Sequence, residues 1–143
     1  MSFGTKIRRA PLRLVTGAFI LNSGLGKRSA DGETAAGLQG FASGTYPFLK
    51  NIEPQKFAAG LSAGEIALGT ALLLPIVPTA LAGLGLTAFA GGLLGLYFKT
   101  PGMTQDDGIR PTEQGLTVSK DIWMLGIGVG LVLDALTSRK PTE

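Results

Sequence analysis

Apolar residues in this chain come in long stretches rather than in the alternation of a half-buried strand. Four of these stretches approach the ~20 residues that a helix needs to cross a bilayer. The strongest covers 80–98 and contains no charged residue. Another, 57–74, is interrupted by a single carboxylate, Glu65, and is followed by Pro75 and Pro78. Each proline lacks an N–H and restrains the residue before it, so a tight turn into the next stretch is expected. The stretch 122–136 is opened by a polar Ser119-Lys120-Asp121 cap and by Trp123, a residue suited to a membrane–water interface. The first stretch, 12–26, is short and weakly apolar, carries Arg13, and needs Ala10, Pro11 and Lys27 to reach across. The pattern predicts an all-α fold: an integral membrane four-helix bundle forming one domain over residues 1–143.

Between the first two stretches, Leu38, Phe41 and Ala42 recur at helical spacing within 34–42. A short interfacial helix fits there, with Tyr46 and Phe48 as headgroup anchors; an irregular loop is the alternative. Residues 99–118 hold Pro101-Gly102, Asp107-Gly108 and Pro111 and read as irregular coil. The basic N-terminus followed by an apolar run has the form of a signal peptide but offers no convincing cleavage site, so it reads as a retained first span. Lys6, Arg8, Arg9, Arg13, Arg139 and Lys140 outnumber the acidic residues at the two chain ends, whereas the long loops are balanced. That asymmetry orients both termini toward the cytoplasm.

Composition supports lipid as the solvent. Of 143 residues, 45% are hydrophobic and 16% charged, and 22 are glycine, many inside the apolar stretches. Interior glycine costs a water-soluble helix ~1 kcal/mol relative to alanine, while in lipid it lets helix backbones approach closely. The chain has no cysteine and no histidine, which removes disulfides, thiol redox chemistry, imidazole ligation of haem or zinc, and any histidine-dependent triad. No metal site is expected. A net charge of +3 without a basic, aromatic-studded face argues against nucleic-acid binding.

Glu65 is the most informative residue, because a carboxylate in hydrocarbon costs at least ~2.5 kcal/mol unless it is compensated. At 100° per residue, Ala58, Ser62, Glu65, Gly69 and Leu72 form one stripe, and Arg13, Gly17, Ile20, Gly24 and Lys27 form another. Gly17, Gly24 and Gly69 would let the two stripes pack together. Lys27 ends the first span on the side where Glu65 enters, and the tilt of Cβ toward each helix N-terminus leans the two side chains together. Lys27 is therefore the favoured partner of Glu65 and Arg13 the second. A protonated Glu65 bonded to Ser62, Thr70 or a backbone carbonyl is the third arrangement. Asp134 reads as a helix-end charge, or as a partner for Arg13. The glycines at 83, 85, 91, 92 and 95, and at 126, 128 and 130, need only close packing to explain them.

The segments Leu12-Arg-Leu-Val-Thr-Gly17, Ser23-Gly-Leu-Gly-Lys27 and Gly60-Leu-Ser-Ala-Gly-Glu-Ile-Ala-Leu-Gly69 resemble the DoxX family of small membrane proteins. Arg13, Gly24, Lys27, Glu65 and Gly69 occupy the places of that family's pattern, and Lys120-Asp121 before Ile122-Trp123 is similar to the start of its last span. The resemblance covers about 12–136 and implies a four-helix membrane fold. Thr34-Ala-Ala-Gly-Leu-Gln-Gly and Lys99-Thr-Pro-Gly-Met are similar to actinobacterial members, which implies a bacterial plasma membrane. Some family members are associated with membrane redox systems, including a thiosulfate:quinone oxidoreductase and a detoxification complex with superoxide dismutase and a sulfurtransferase. This chain departs from what sulfur chemistry of its own would need, having neither cysteine nor histidine.

The resulting expectation is a non-catalytic accessory or scaffold subunit of a membrane complex, with no intrinsic cofactor and a groove for a lipid or a non-covalent quinone beside Glu65. Its partners would be membrane lipids, other membrane or redox proteins, or further copies of itself. The alternatives are the membrane subunit of a quinone-linked oxidoreductase, with Glu65 and Lys27 relaying protons, and an oligomeric small-solute or proton transporter.

Overall fold

The computed structural model describes residues 2–138. The described residues are helical apart from turns, one loop and an isolated bridge. Helix α1 spans Phe3–Lys27, α2 Gly32–Thr45, α3 Pro54–Leu73, α4 Thr79–Lys99, α5 Leu116–Ser119 and α6 Asp121–Thr137. A 3₁₀ turn, Pro47–Asn51, links α2 to α3. Arg139 and Lys140, invoked above for orientation, lie outside the described residues.

Three of the four long helices begin and end close to the apolar stretches. Helix α1 differs, starting nine residues before the expected boundary at 12 and running through Pro11. Hydropathy hid this extension because the added turns are basic, although their inward positions continue the same face. Thr5, Arg9, Arg13, Thr16, Gly17, Ile20 and Gly24 are its buried residues. Pro11 points away from that face and is exposed, where a missing N–H matters least.

Helix α1 packs chiefly on α3, and α4 chiefly on α6, so the molecule consists of two tight helix pairs laid against each other. The α1–α3 seam is made by glycine. A Cβ on Gly69 would lie 2.6 Å from Leu21 N and 2.8 Å from Gly17 O. One on Gly17 would meet Gly69 O at 3.0 Å, and one on Gly24 would meet Glu65 Cβ and Ile66 N at 2.9 Å. The obstacles are largely backbone, so only glycine permits this approach. The α4–α6 seam repeats the device at Gly83 and Gly128, where a Cβ on Gly128 would meet Thr87 N at 2.8 Å. Gly91, Gly92, Gly126 and Gly130 have open space at the Cβ position, so close packing does not explain them. Between the pairs lies an apolar core of Ile20, Leu72, Ala82, Leu86, Ala90, Met124 and Leu131.

The region between α1 and α3 is the expected short helix rather than an irregular loop. Asp31 caps α2 by accepting the Thr34 N–H at 2.8 Å, which holds its carboxyl below the usual range. The expected role of Tyr46 as a headgroup anchor is corrected: α2 folds back over the bundle, and the Tyr46 hydroxyl donates to Gly92 O at 2.8 Å. Its ring end occupies the space that a side chain at Gly95 would need. Phe48 stays exposed. The turn after α3 spans five residues around Pro75 and Pro78, as expected. The 100–115 loop is irregular, with Gly102 and Gly108 at positive φ, and Tyr97 pins it by donating to Ile109 O at 2.6 Å.

Among the described residues, two helical stretches are long and apolar enough to cross a membrane, Thr79–Lys99 and Leu116–Thr137. Helices α1 and α3 fall short of that hydropathy because they carry the charged and small residues of the first seam.

Candidate functional site

The buried residues of α3 are Ala58, Ser62, Glu65, Gly69 and Leu72, the same stripe that the helical period marks in the sequence. Glu65 is 4% exposed and faces α1. Lys27 Nζ donates to both of its carboxylate oxygens, at 3.0 Å and 3.1 Å, and to Ser23 Oγ at 2.6 Å. Bonds of this length from an ammonium give the buried carboxyl group a direct partner rather than leaving it stranded. Among the described residues the other two arrangements for Glu65 are not formed. Ser62 Oγ donates across the seam to Gly24 O at 2.7 Å, and Arg13 lies two turns further toward the other end of α3.

Arg13 has a different task. Its Nε donates to Leu72 O, Nη1 to Val77 O and Thr79 Oγ1, and Nη2 to Ala71 O and Leu74 O, all between 2.8 and 3.1 Å. The guanidinium thus satisfies carbonyls left open at the C-terminus of α3, where a cation also complements the helix dipole. Its five N–H groups are fully used, which is why it does not take Asp134 as the sequence allowed. Asp134 is held instead by Arg8 and Arg9. Helix α1 begins early enough to bring Arg9, one turn before Arg13, level with the end of α6. First and last helices are tied there, by a different cation from the one considered.

The Lys27–Glu65 pair forms part of the wall of a cavity of about 480 Å³. All the helices contribute to its lining. Phe19, Phe41, Phe57, Leu61, Phe89 and Leu93 supply apolar surface, while Ser23, Thr117 and Asp121 add polar groups. Asp121, at the start of α6, is half-buried and has neither an ion pair nor a side-chain hydrogen bond among the described residues. The cavity therefore holds one ammonium and two carboxylates against an apolar majority. That composition suits an apolar molecule with a small hydrogen-bonding head. No group of three or more metal-ligating side chains occurs among the described residues.

Sequence reasoning missed Asp121, Ser23, Arg8 and Arg9 as site residues. Ser23 was legible, since it sits four residues before Lys27 on the same face, and Arg9 stands in the same relation to Arg13. Asp121 was not, because a polar residue at the mouth of a span reads as a cap until the fold places it in a cavity. Comparison with protein-family models, with curated proteins and with solved structures gives no match for this sequence.

Proposed function

We propose that this chain is a multi-pass protein of a bacterial plasma membrane. Its four long helices would cross the bilayer, and the cavity beside Lys27 and Glu65 would hold a lipid or a non-covalent quinone. It serves a larger membrane complex as an accessory subunit of the DoxX type. The membrane part is supported by what the apolar helices leave uncovered. Only 17% of the apolar window in 116–137 is buried, unlike the core helix of a water-soluble protein. Val15, Phe19, Leu81, Leu84, Trp123 and Leu133 are all more than half exposed. Helices α1 and α3, with 25 and 20 residues, extend ~37 Å and ~30 Å and reach across a hydrocarbon core. Of their charges, Arg9, Arg13, Lys27 and Glu65 turn inward onto partners, while Lys6, Arg8 and Lys56 lie toward the helix ends and are exposed.

The observation that carries the ligand reading is the cavity itself, with an ion pair at the wall of an apolar chamber. A quinone carbonyl could replace Ser23 Oγ as an acceptor of the Lys27 ammonium while its ring and tail meet the phenylalanine side chains. The ammonium and two carboxyl groups around the cavity also favour a second reading, the membrane half of a quinone-linked oxidoreductase whose electrons come from a soluble partner.

The deciding experiment is mild extraction of the full-length protein, mass spectrometry of bound isoprenoids and lipids and of co-purifying proteins, and a titration with a soluble quinone analogue. Leu61→Trp, which narrows the cavity, should lower analogue affinity at least tenfold without unfolding the protein. Equal binding to wild type and Leu61→Trp would sever the ligand from the cavity. A redox partner that reduces the analogue through the complex would select the enzymatic reading. Topology is read with single cysteines at Ser2 and Glu33, both exposed. Only the latter should react with an impermeant thiol reagent supplied outside the cell.

A further inference from the structure

At the end of the bundle opposite the Lys27–Glu65 pair, a second concavity of about 400 Å³ opens between α1 and the turn joining α3 to α4. Lys6, Arg9 and Arg13 line it, and Leu14, Leu73 and Ile76 form an apolar rim. Within 2–15, 70–80 and 130–138 the charged side chains are Lys6, Arg8, Arg9, Arg13 and Asp134, so cations are in excess. The one carboxylate is already shared between Arg8 and Arg9. Arg13 is 7% exposed and its five bonds all go to neutral oxygens. Thr79 Oγ1 accepts from Arg9 Nη1 at 3.4 Å and from Arg13 Nη1 at 3.1 Å, so a single hydroxyl holds two like-charged guanidinium groups against each other. The C-terminal dipole of α3 offsets roughly half a charge, less than the excess. Buried cations beside low-dielectric walls make this concavity attractive to an anion.

We infer that this concavity binds the phosphate of an anionic phospholipid. Lys6, exposed and flexible, donates to the phosphate, while the fixed guanidinium groups of Arg9 and Arg13 supply the field. An acyl chain lies along Leu14, Leu73 and Ile76, of which Leu14 is 52% and Ile76 84% exposed. That apolar rim is what favours a lipid over a soluble phosphate. The inference rests on the membrane reading but not on the occupant of the larger cavity.

Native mass spectrometry of the full-length protein released from nanodiscs tests it, with phosphatidylglycerol and phosphatidylcholine as matched probes and inorganic phosphate as competitor. Phosphatidylglycerol should bind at least about fivefold more tightly than phosphatidylcholine, the effect expected of one basic side chain near a headgroup. Lys6→Gln should remove most of that preference, Lys6→Arg should keep it, and Lys50→Gln at the opposite end should leave it unchanged. Equal binding of the two lipids, or a preference untouched by Lys6→Gln, overturns the inference. Complete displacement of phosphatidylglycerol by millimolar inorganic phosphate would assign the site to a soluble anion and overturn the lipid. A protein recovered in the soluble fraction without detergent would fail the membrane reading instead, which keeps the two failures distinct.

Discussion

Removing the ammonium from the Lys27–Glu65 pair should cost more than removing the carboxylate, and the structure supplies the reason. The side chain of Glu65 is 5% exposed, whereas that of Lys27 is 22% exposed and also holds Ser23. At 3.0 Å and an effective dielectric near 20, the direct attraction is ~5–6 kcal/mol before desolvation and partial screening are subtracted. Lys27→Met leaves the buried Glu65 without its ion-pair partner, and breaking a buried pair in this way costs ~3–5 kcal/mol. Glu65→Leu leaves a lysine at the end of α1 that keeps its serine and can extend toward water, so a loss of ~1–2 kcal/mol is expected. The double variant replaces the pair by apolar groups and should return to within ~1 kcal/mol of the wild type. Reversible unfolding of the four proteins in mixed detergent micelles yields the cycle, read by far-UV circular dichroism. A coupling energy of at least ~2 kcal/mol is expected. Additivity within ~0.5 kcal/mol would refute the pairing, because independent sites add to that tolerance. Equal losses from the two single changes would refute the argument from unequal burial.

Three further outcomes follow from named contacts. Gly69→Ala should lower stability by at least ~2 kcal/mol in the same assay, since its methyl would meet the backbone of Leu21 and Gly17, whereas Gly64→Ala, with open space at Cβ, should be neutral or slightly stabilising. Arg13→Lys should lose ~3 kcal/mol or more despite keeping the charge, because a compact ammonium with three donors cannot reproduce five bonds to the α3 terminus, the turn after it and Thr79. Asp31 has a folded pKa held below its unfolded value by the Thr34 N–H. Its capping of α2 is therefore fully present above the unfolded carboxylate value of about 3.9 and is lost as pH falls through the lower, folded one. Chemical shifts of residues 32–36 should show the helix start fraying in that acid window, and Asp31→Asn should abolish the pH dependence while retaining a cap.

The sequence by itself determined the helices and the faces they bury. Long apolar stretches and two prolines set the positions of α3, α4 and α6 to within a few residues, because helix length in a chain this apolar follows hydropathy directly. The stripe through Ala58, Ser62, Glu65, Gly69 and Leu72 was readable from the 3.6-residue period, and the Lys27–Glu65 pair from the lean of Cβ along two antiparallel helices. Four matters were decided only by the tertiary structure. Basic residues mask hydropathy, so the start of α1 at Phe3 depended on Arg9 and Arg13 finding partners on other helices. The choice of Arg8 and Arg9 over Arg13 for Asp134 depended on the end of α3, Val77 and Thr79 having already taken every donor of Arg13. The inward turn of Tyr46 depended on the Gly92 carbonyl being in reach and on Gly95 leaving space for the ring end. Asp121 became a cavity residue only through the convergence of all the helices around one space. In each case the deciding quantity is a distance between segments remote in the chain. Local pattern specifies which face a residue occupies, and packing alone specifies what that face meets.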